Sequence, residues 1–174
     1  WINQPIEKRK KFFKEFAVNF LINNIKKDLT LININFDKFT LETDIIKKNL
    51  IDKLSKLLKR KDLLYEGKLA KPKGEDLNNW KPHNQLLFKS SSLFDNEDRV
   101  FKKPNGDYTY FANDAAYHYD KYLRQFDKLI NIWGADHIGY IQRLKSIVQV
   151  ITNKPNYLDI FVCQIVRLIK NDNI

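Results

Sequence analysis

The order of elements after residue 113 constrains this chain more than any bulk property. A helical stretch, AAYHYDKYLRQF, leads into a short apolar run, KLINIW; GADHIGY then opens a helix through YIQRLKSIVQVIT, and the chain closes on a second apolar run, LDIFVCQIVRLI. Two strand-like runs joined by a helix lie parallel, because the helical crossover returns the chain to re-enter the sheet in the same direction. A parallel sheet in turn needs helices on its faces. The expected fold class is therefore α/β: a partial Rossmann-type domain with a parallel sheet, helices on its faces and an inserted hairpin.

Upstream the pattern is mixed. IEKRKKFFKEFAVNFLINNIKKD sets Phe12, Phe16 and Phe20 four apart, with Phe13, Ala17 and Leu21 beside them, which predicts an amphipathic helix. LTLININFDKF alternates Ile32, Ile34 and Phe36 with polar residues and predicts a strand. Residues 44–61 return to helical spacing, with Ile46, Leu50, Leu54, Leu57 and Leu58 on one face and lysines opposite. Pro72, Pro82, Gly67 and Gly74 then mark a loop with a short strand, the expected internal boundary. In RVFKKPNGDYTYFAN, Asn105-Gly106 predicts a hairpin with both central residues at positive φ, and Asn113 or Asp114 is placed to cap the following helix. Three segments result: a helix-strand-helix part over 1–68, a loop and hairpin insertion over 69–108, and a second Rossmann half over 109–174.

Composition narrows the class further. The 174 residues carry 31 Lys and Arg against 21 Asp and Glu, a net charge of +10, which invites a nucleic-acid partner. Only six of the basic residues are Arg, the better phosphate reader, so solvated helix faces explain much of the excess. Cys163 has no partner for a disulfide, and its apolar surroundings predict a buried, inert thiol. No apolar run approaches the roughly 20 residues of a membrane span. The chain begins at Trp1 and contains no Met, so it reads as a piece of a longer cytoplasmic protein.

Chemistry is expected at the carboxyl ends of the strands, where loops converge. Gly134 permits close approach of a ligand, Asp136 can accept from ribose hydroxyls and His137 can donate or accept beside them; strand ending, helix capping and surface placement account for the same three residues. Tyr110 and Asp114 stand four apart, where a carboxylate can meet a guanidinium with a phenol alongside; packing and capping explain them equally. Asp114 and His118 share a helix face, but no third ligand has metal-site spacing.

Longer strings settle more. YEGKLAKPKG, QLLFKSSSLFDNEDRVFKKPNGDYTYFANDAAYHYDKY, FDKLINIWGADHIGYIQRLKSIVQV and VCQIVRLIK occur in the order and spacing of bacterial arginyl-tRNA synthetase, a class I enzyme. The chain resembles an internal fragment of that family's catalytic region, most closely over residues 99–140. The resemblance implies that Tyr110, Asp114 and His137 bind arginine and that Gly134, Asp136 and His137 contact the nucleotide. It also implies ATP as a substrate, Mg2+ accompanying it, tRNA(Arg) as a partner and a monomeric enzyme, an arginine-tRNA ligase that forms arginyl-adenylate. His137-Ile138-Gly139-Tyr140 is not the family's His-Ile-Gly-His signature, since Tyr replaces the second His and the true signature belongs to the first strand-helix turn. Neither that signature nor the Lys-Met-Ser-Lys type is present, so the fragment alone is expected to be inactive and no catalytic residue is assigned to it. Two other readings stay open: a stand-alone basic RNA-binding module and a catalytically dead paralogue. The first predicts RNA binding by this chain that falls steeply with salt, and no binding at low salt removes it.

Overall fold

A computed structural model describes residues 1–69 and 82–167; most of the predicted boundary loop and the last residues of the closing strand lie outside them. The chain forms two compact units, Trp1–Thr40 and Leu41–Ile174.

The first unit is a helix, α1 (Ile6–Leu31), and a turn. Pro5 precedes it, a residue preset for a helix start. Trp1, Phe12, Phe16 and Phe20 stack in a row along it, with successive ring centroids 4.1, 6.3 and 6.3 Å apart. None of its residues is buried, and Phe12, Phe13, Phe16 and Phe20 are exposed. The strand predicted after it does not form. Asn33 adopts φ 58°, Ile34 N–H donates to the Leu29 carbonyl at 2.9 Å and Asn33 N–H to that of Thr30 at 3.0 Å. This closes the helix with a left-handed cap, and the alternating residues beyond find no strand to pair with.

The second unit holds the remaining elements. The helix predicted over 44–61 is two, α2 (Glu42–Lys47) and α3 (Leu50–Arg60), because Asn49 between them is left-handed. That break rotates the inward face, so Ile45 is buried and Ile46 exposed. Three short strands follow, β1 (Leu64–Gly67), β2 (Gln85–Phe88) and β3 (Arg99–Lys102), antiparallel in the order β1-β2-β3. The hairpin after β3 is smaller than expected. Pro104 takes the first central position of the turn, Gly106 alone is left-handed at φ 88°, and the return strand is one bridge from Tyr108 to Lys102.

Helix α4 (Tyr110–Leu123) then leads to β4 (Leu129–Gly134), a 3-10 turn (Ala135–Tyr140), α5 (Ile141–Thr152) and β5 (Leu158–Cys163). Strands β4 and β5 pair in parallel from Leu129↔Leu158 to Gly134↔Cys163, with α5 as the crossover. The α/β expectation holds at this point: a parallel pair joined by a helix. Cys163 is exposed rather than buried, because the side of the pair that carries Ile132 and Phe161 has no helix over it among the described residues.

The core gathers around α4. Its Ala112, Ala115 and Ala116 are fully buried, letting α3, α5 and the antiparallel sheet approach closely, and Phe88, Phe101, Leu54, Leu58 and Ile147 fill the space between. A buried polar line crosses from α4 to β4. His118 Nδ1–H donates to the Asp114 carbonyl (2.8 Å), His118 Nε2 accepts from Asn131 Nδ2 (2.8 Å), and Asn131 Oδ1 accepts from Lys121 Nζ (3.1 Å). Lys121 can only donate, and this orients the Asn131 amide and hence the His118 tautomer.

Two outcomes follow for the fold. Phe101→Ala is expected to cost about 3 to 5 kcal/mol in chemical denaturation, as for a large buried aromatic. Burial, with a smaller push from Lys121, lowers His118 to about pKa 4. Its neutral imidazole therefore supports the fold fully above about pH 6.5, the ordinary value for histidine, and that support drains away toward pH 4. Urea midpoints measured from pH 7 to pH 4 should fall through this window, by less in His118→Gln.

Candidate active site

Helix α4 begins where Thr109 makes it begin. The Thr109 hydroxyl donates to the Val100 carbonyl at 2.8 Å and accepts from Ala112 N–H at 3.3 Å, so Thr109, not Asn113 or Asp114, is the cap. Tyr110 becomes the first helical residue and Asp114 lies one turn further along the same side. The Tyr110 side chain, 83% exposed, overhangs a hollow of about 490 Å3 lined by Ile46, Asn49, Asp52, Tyr108 and Asn113.

With capping done elsewhere, Asn113 is free to reach across to α2, where its Nδ2 donates to Glu42 Oε1 at 2.8 Å. One helical span further on, Lys48 Nζ meets the buried Asp120 Oδ1 at 2.8 Å. These two contacts lay α2 alongside α4 in the same direction and bring the Glu42 carboxylate near that of Asp114. Sequence reasoning missed Glu42, which by itself reads as an ordinary acid in a helix's first turn.

The electrostatics of Asp114 follow from this placement. The Asp114 carboxyl is raised above its ordinary value, first by partial desolvation among its neighbours and then by the Glu42 charge; His137 and Lys121 pull it back. Asp114 is nevertheless exposed, so it lies on an open surface that a ligand can reach. Neither Glu42 nor Asp114 forms an ion pair with any described residue. Two converging carboxylates with no resident cation in contact suit a ligand that brings its own positive charge.

The charge influence of His137 on Asp114 brings the start of α4 within electrostatic reach of the turn after β4. Gly134 ends β4 at the carboxyl end of the parallel pair, the customary ligand side of such sheets. A Cβ on Gly134 would stand 2.5 Å from Asp136 Oδ1, so a larger residue would displace that carboxylate. Asp136 Oδ2 lies 3.4 Å from His137 Nε2, and both side chains are exposed. Trp133 and Tyr140 flank His137, with ring centroids 6.1 and 6.0 Å away. His118 does not belong to the site, since both its nitrogens are engaged within the core.

No protein-family profile matches the chain. Individual relatives do. It is 47% identical over 159 residues to the arginine-tRNA ligase of Orientia tsutsugamushi (strain Boryong), covering 91% of this chain and 27% of that protein. The arginine-tRNA ligase of Ehrlichia ruminantium (strain Gardel) is 41% identical over 170 residues, 98% of this chain and 30% of the relative. A crystal structure from Campylobacter jejuni, of a protein assigned as an arginyl-tRNA synthetase, superimposes with a TM-score of 0.73 at 30% identity, covering 91% of this chain and 31% of that one. The chain thus spans under a third of the length of the relatives it matches. In sequence and in fold, over about nine-tenths of its length, it belongs to the arginyl-tRNA synthetase family.

Proposed function

We propose that this chain supplies the amino-acid pocket and part of the nucleotide pocket of an arginine-tRNA ligase. Asp114 and Glu42 accept from the guanidinium of arginine, with Tyr110, one turn before Asp114 on α4, and His137 completing the proposed pocket. A planar guanidinium can donate two parallel N–H bonds to a carboxylate, which a lysine ammonium cannot match. Gly134, Asp136 and His137 approach the nucleotide, with Asp136 accepting from ribose hydroxyls. The observation that carries this reading is geometric: Asn113 binds Glu42 across to α2, so two carboxylates, Glu42 and Asp114, stand by the start of α4 with no ion pair to either among the described residues.

In the whole enzyme the arginine carboxylate attacks the α-phosphorus of ATP and pyrophosphate departs. A terminal ribose hydroxyl of tRNA(Arg) then attacks the adenylate carbonyl and AMP leaves. This chain's residues hold arginine and the nucleoside side of that reaction. Groups that stabilise pyrophosphate belong to the two signatures it lacks. Mg2+ accompanies the ATP phosphates, and the described residues gather no trio of acidic, histidine or cysteine side chains to bind it here. The relatives favour this reading over a stand-alone RNA-binding module, and the lysine excess is then mostly solvated surface. We place the enzyme in the cytoplasm as a monomer, as its resemblance to the family implies.

Kinetics of the whole synthetase test the assignment. Asp114→Ala is expected to lower kcat/KM for arginine by about 10- to 150-fold, the equivalent of about 1.5 to 3 kcal/mol for a lost charge-assisted contact. Unchanged kinetics would sink it. Arginine affinity should also fall as pH drops through the raised range of the Asp114 carboxyl, because only the carboxylate accepts from the guanidinium. Without arginine the signs reverse for stability. A carboxyl raised in the folded state weakens the fold once ionised, so Asp114→Asn should raise the urea midpoint at pH 7 while weakening arginine binding.

A further inference from the structure

Asn131 is an anomaly in β4. It is buried at 7% exposure in an otherwise apolar strand, Leu129 to Trp133, where a Leu would fill the place without any polar cost. Both ends of its amide are used, and both lead to Asp114. Through His118, whose Nε2 accepts from Asn131 Nδ2 at 2.8 Å, it sets the tautomer that donates from Nδ1 to the Asp114 backbone carbonyl at 2.8 Å. Through Oδ1, which accepts from Lys121 Nζ at 3.1 Å, it holds the ammonium whose charge reaches the Asp114 carboxyl. Lys121 also lies 4.5 Å above the Tyr117 ring and has no carboxylate in ion-pair contact among the described residues. We propose that Asn131 is a positioning residue for amino-acid recognition, registering Asp114 on α4 against β4 through His118 and holding Lys121 in place.

The inference rests on the arginine pocket proposed above. Its logic is geometric. Asp114 gains from a guanidinium only if its carboxylate lies in the plane of the fork, and a small displacement forfeits much of a positioned contact. Apolar packing alone is non-directional, whereas a hydrogen-bonded line from a strand side chain to the backbone of residue 114 fixes register to within a hydrogen-bond length. Lys121 acts on the charge rather than on position. Held by a neutral amide instead of a carboxylate, it eases the repulsion between Asp114 and Glu42 without occupying either.

Two variants and one spectrum test this. Asn131→Leu removes both hydrogen bonds and leaves a side chain suited to an apolar strand. In the whole synthetase it should raise KM for arginine about tenfold or more, as expected for a lost positioned contact, and leave KM for ATP within about twofold. Asn131→Asp keeps an acceptor for Lys121 but cannot donate to His118. It should turn His118 to the Nε2–H or doubly protonated form, visible in 15N–1H correlation spectra of this chain, and raise KM for arginine similarly. Wild-type spectra should show the neutral Nδ1–H tautomer at pH 7. An Nε2–H tautomer in the wild type, or normal arginine KM in a folded Asn131→Leu enzyme, overturns the proposal. If Asp114→Ala impairs arginine use and Asn131→Leu does not, the positioning role alone is lost. If Asp114→Ala is itself without effect, the arginine pocket is the reading that fails.

Discussion

Everything in the larger unit depends on how closely α4 can be approached. Ala112, Ala115 and Ala116 give it a smooth face with no exposed surface, and α3, α5 and the antiparallel sheet all converge on that face. Larger residues there would hold those elements apart. The opposite side of α4 is thereby left open to solvent, and it carries Tyr110 and Asp114. Phe111, buried between Phe88 and Phe101, anchors the start of the helix against the antiparallel sheet. The polar line through His118 and Asn131, together with the Lys48–Asp120 pair, adds directional contacts further along it.

The site itself is electrostatically incomplete. Two carboxylates lie near each other on adjacent helices, and the basic side chains that influence Asp114, His137 and Lys121, make no ion pair with either among the described residues. Structural carboxylates in this same protein look different: Asp95 holds Arg99 through two contacts of 2.6 and 2.7 Å, and Asp120 meets Lys48. Acids that only stabilise a fold are paired. Those left raised and unpaired are candidates for ligand recognition.

Much of this was legible beforehand because it rests on local signals. The β4, α5 and β5 order follows from apolar runs set around a helical repeat, and the parallel pairing follows from the crossover. Tyr110 and Asp114 share a side because residues four apart do so on any helix. The failures have a common cause. A strand was expected after α1 on alternation alone, but a strand exists only with a partner, and the Asn33 cap turns the chain away. Asn49 divides a helix whose hydrophobic spacing looked continuous. Asn113 and Asp114 were both plausible caps until Thr109, held by the Val100 carbonyl, took that role. Cys163 sits in an apolar run, yet burial depends on what covers the strand and not on its neighbours in sequence.

By itself, then, the sequence determined the α/β class, the crossover and the family, since periodicity and long literal strings survive without knowledge of the third dimension. Tertiary structure alone decided that Glu42, 72 residues before Asp114, comes near enough to raise its carboxyl, that His137 comes near enough to oppose that rise, and that an asparagine in the middle of an apolar strand is wired to the backbone of residue 114. The reason is physical: a carboxylate's ionisation and aim depend on charges and hydrogen bonds within a few ångströms, and distance in space bears no fixed relation to distance along the chain.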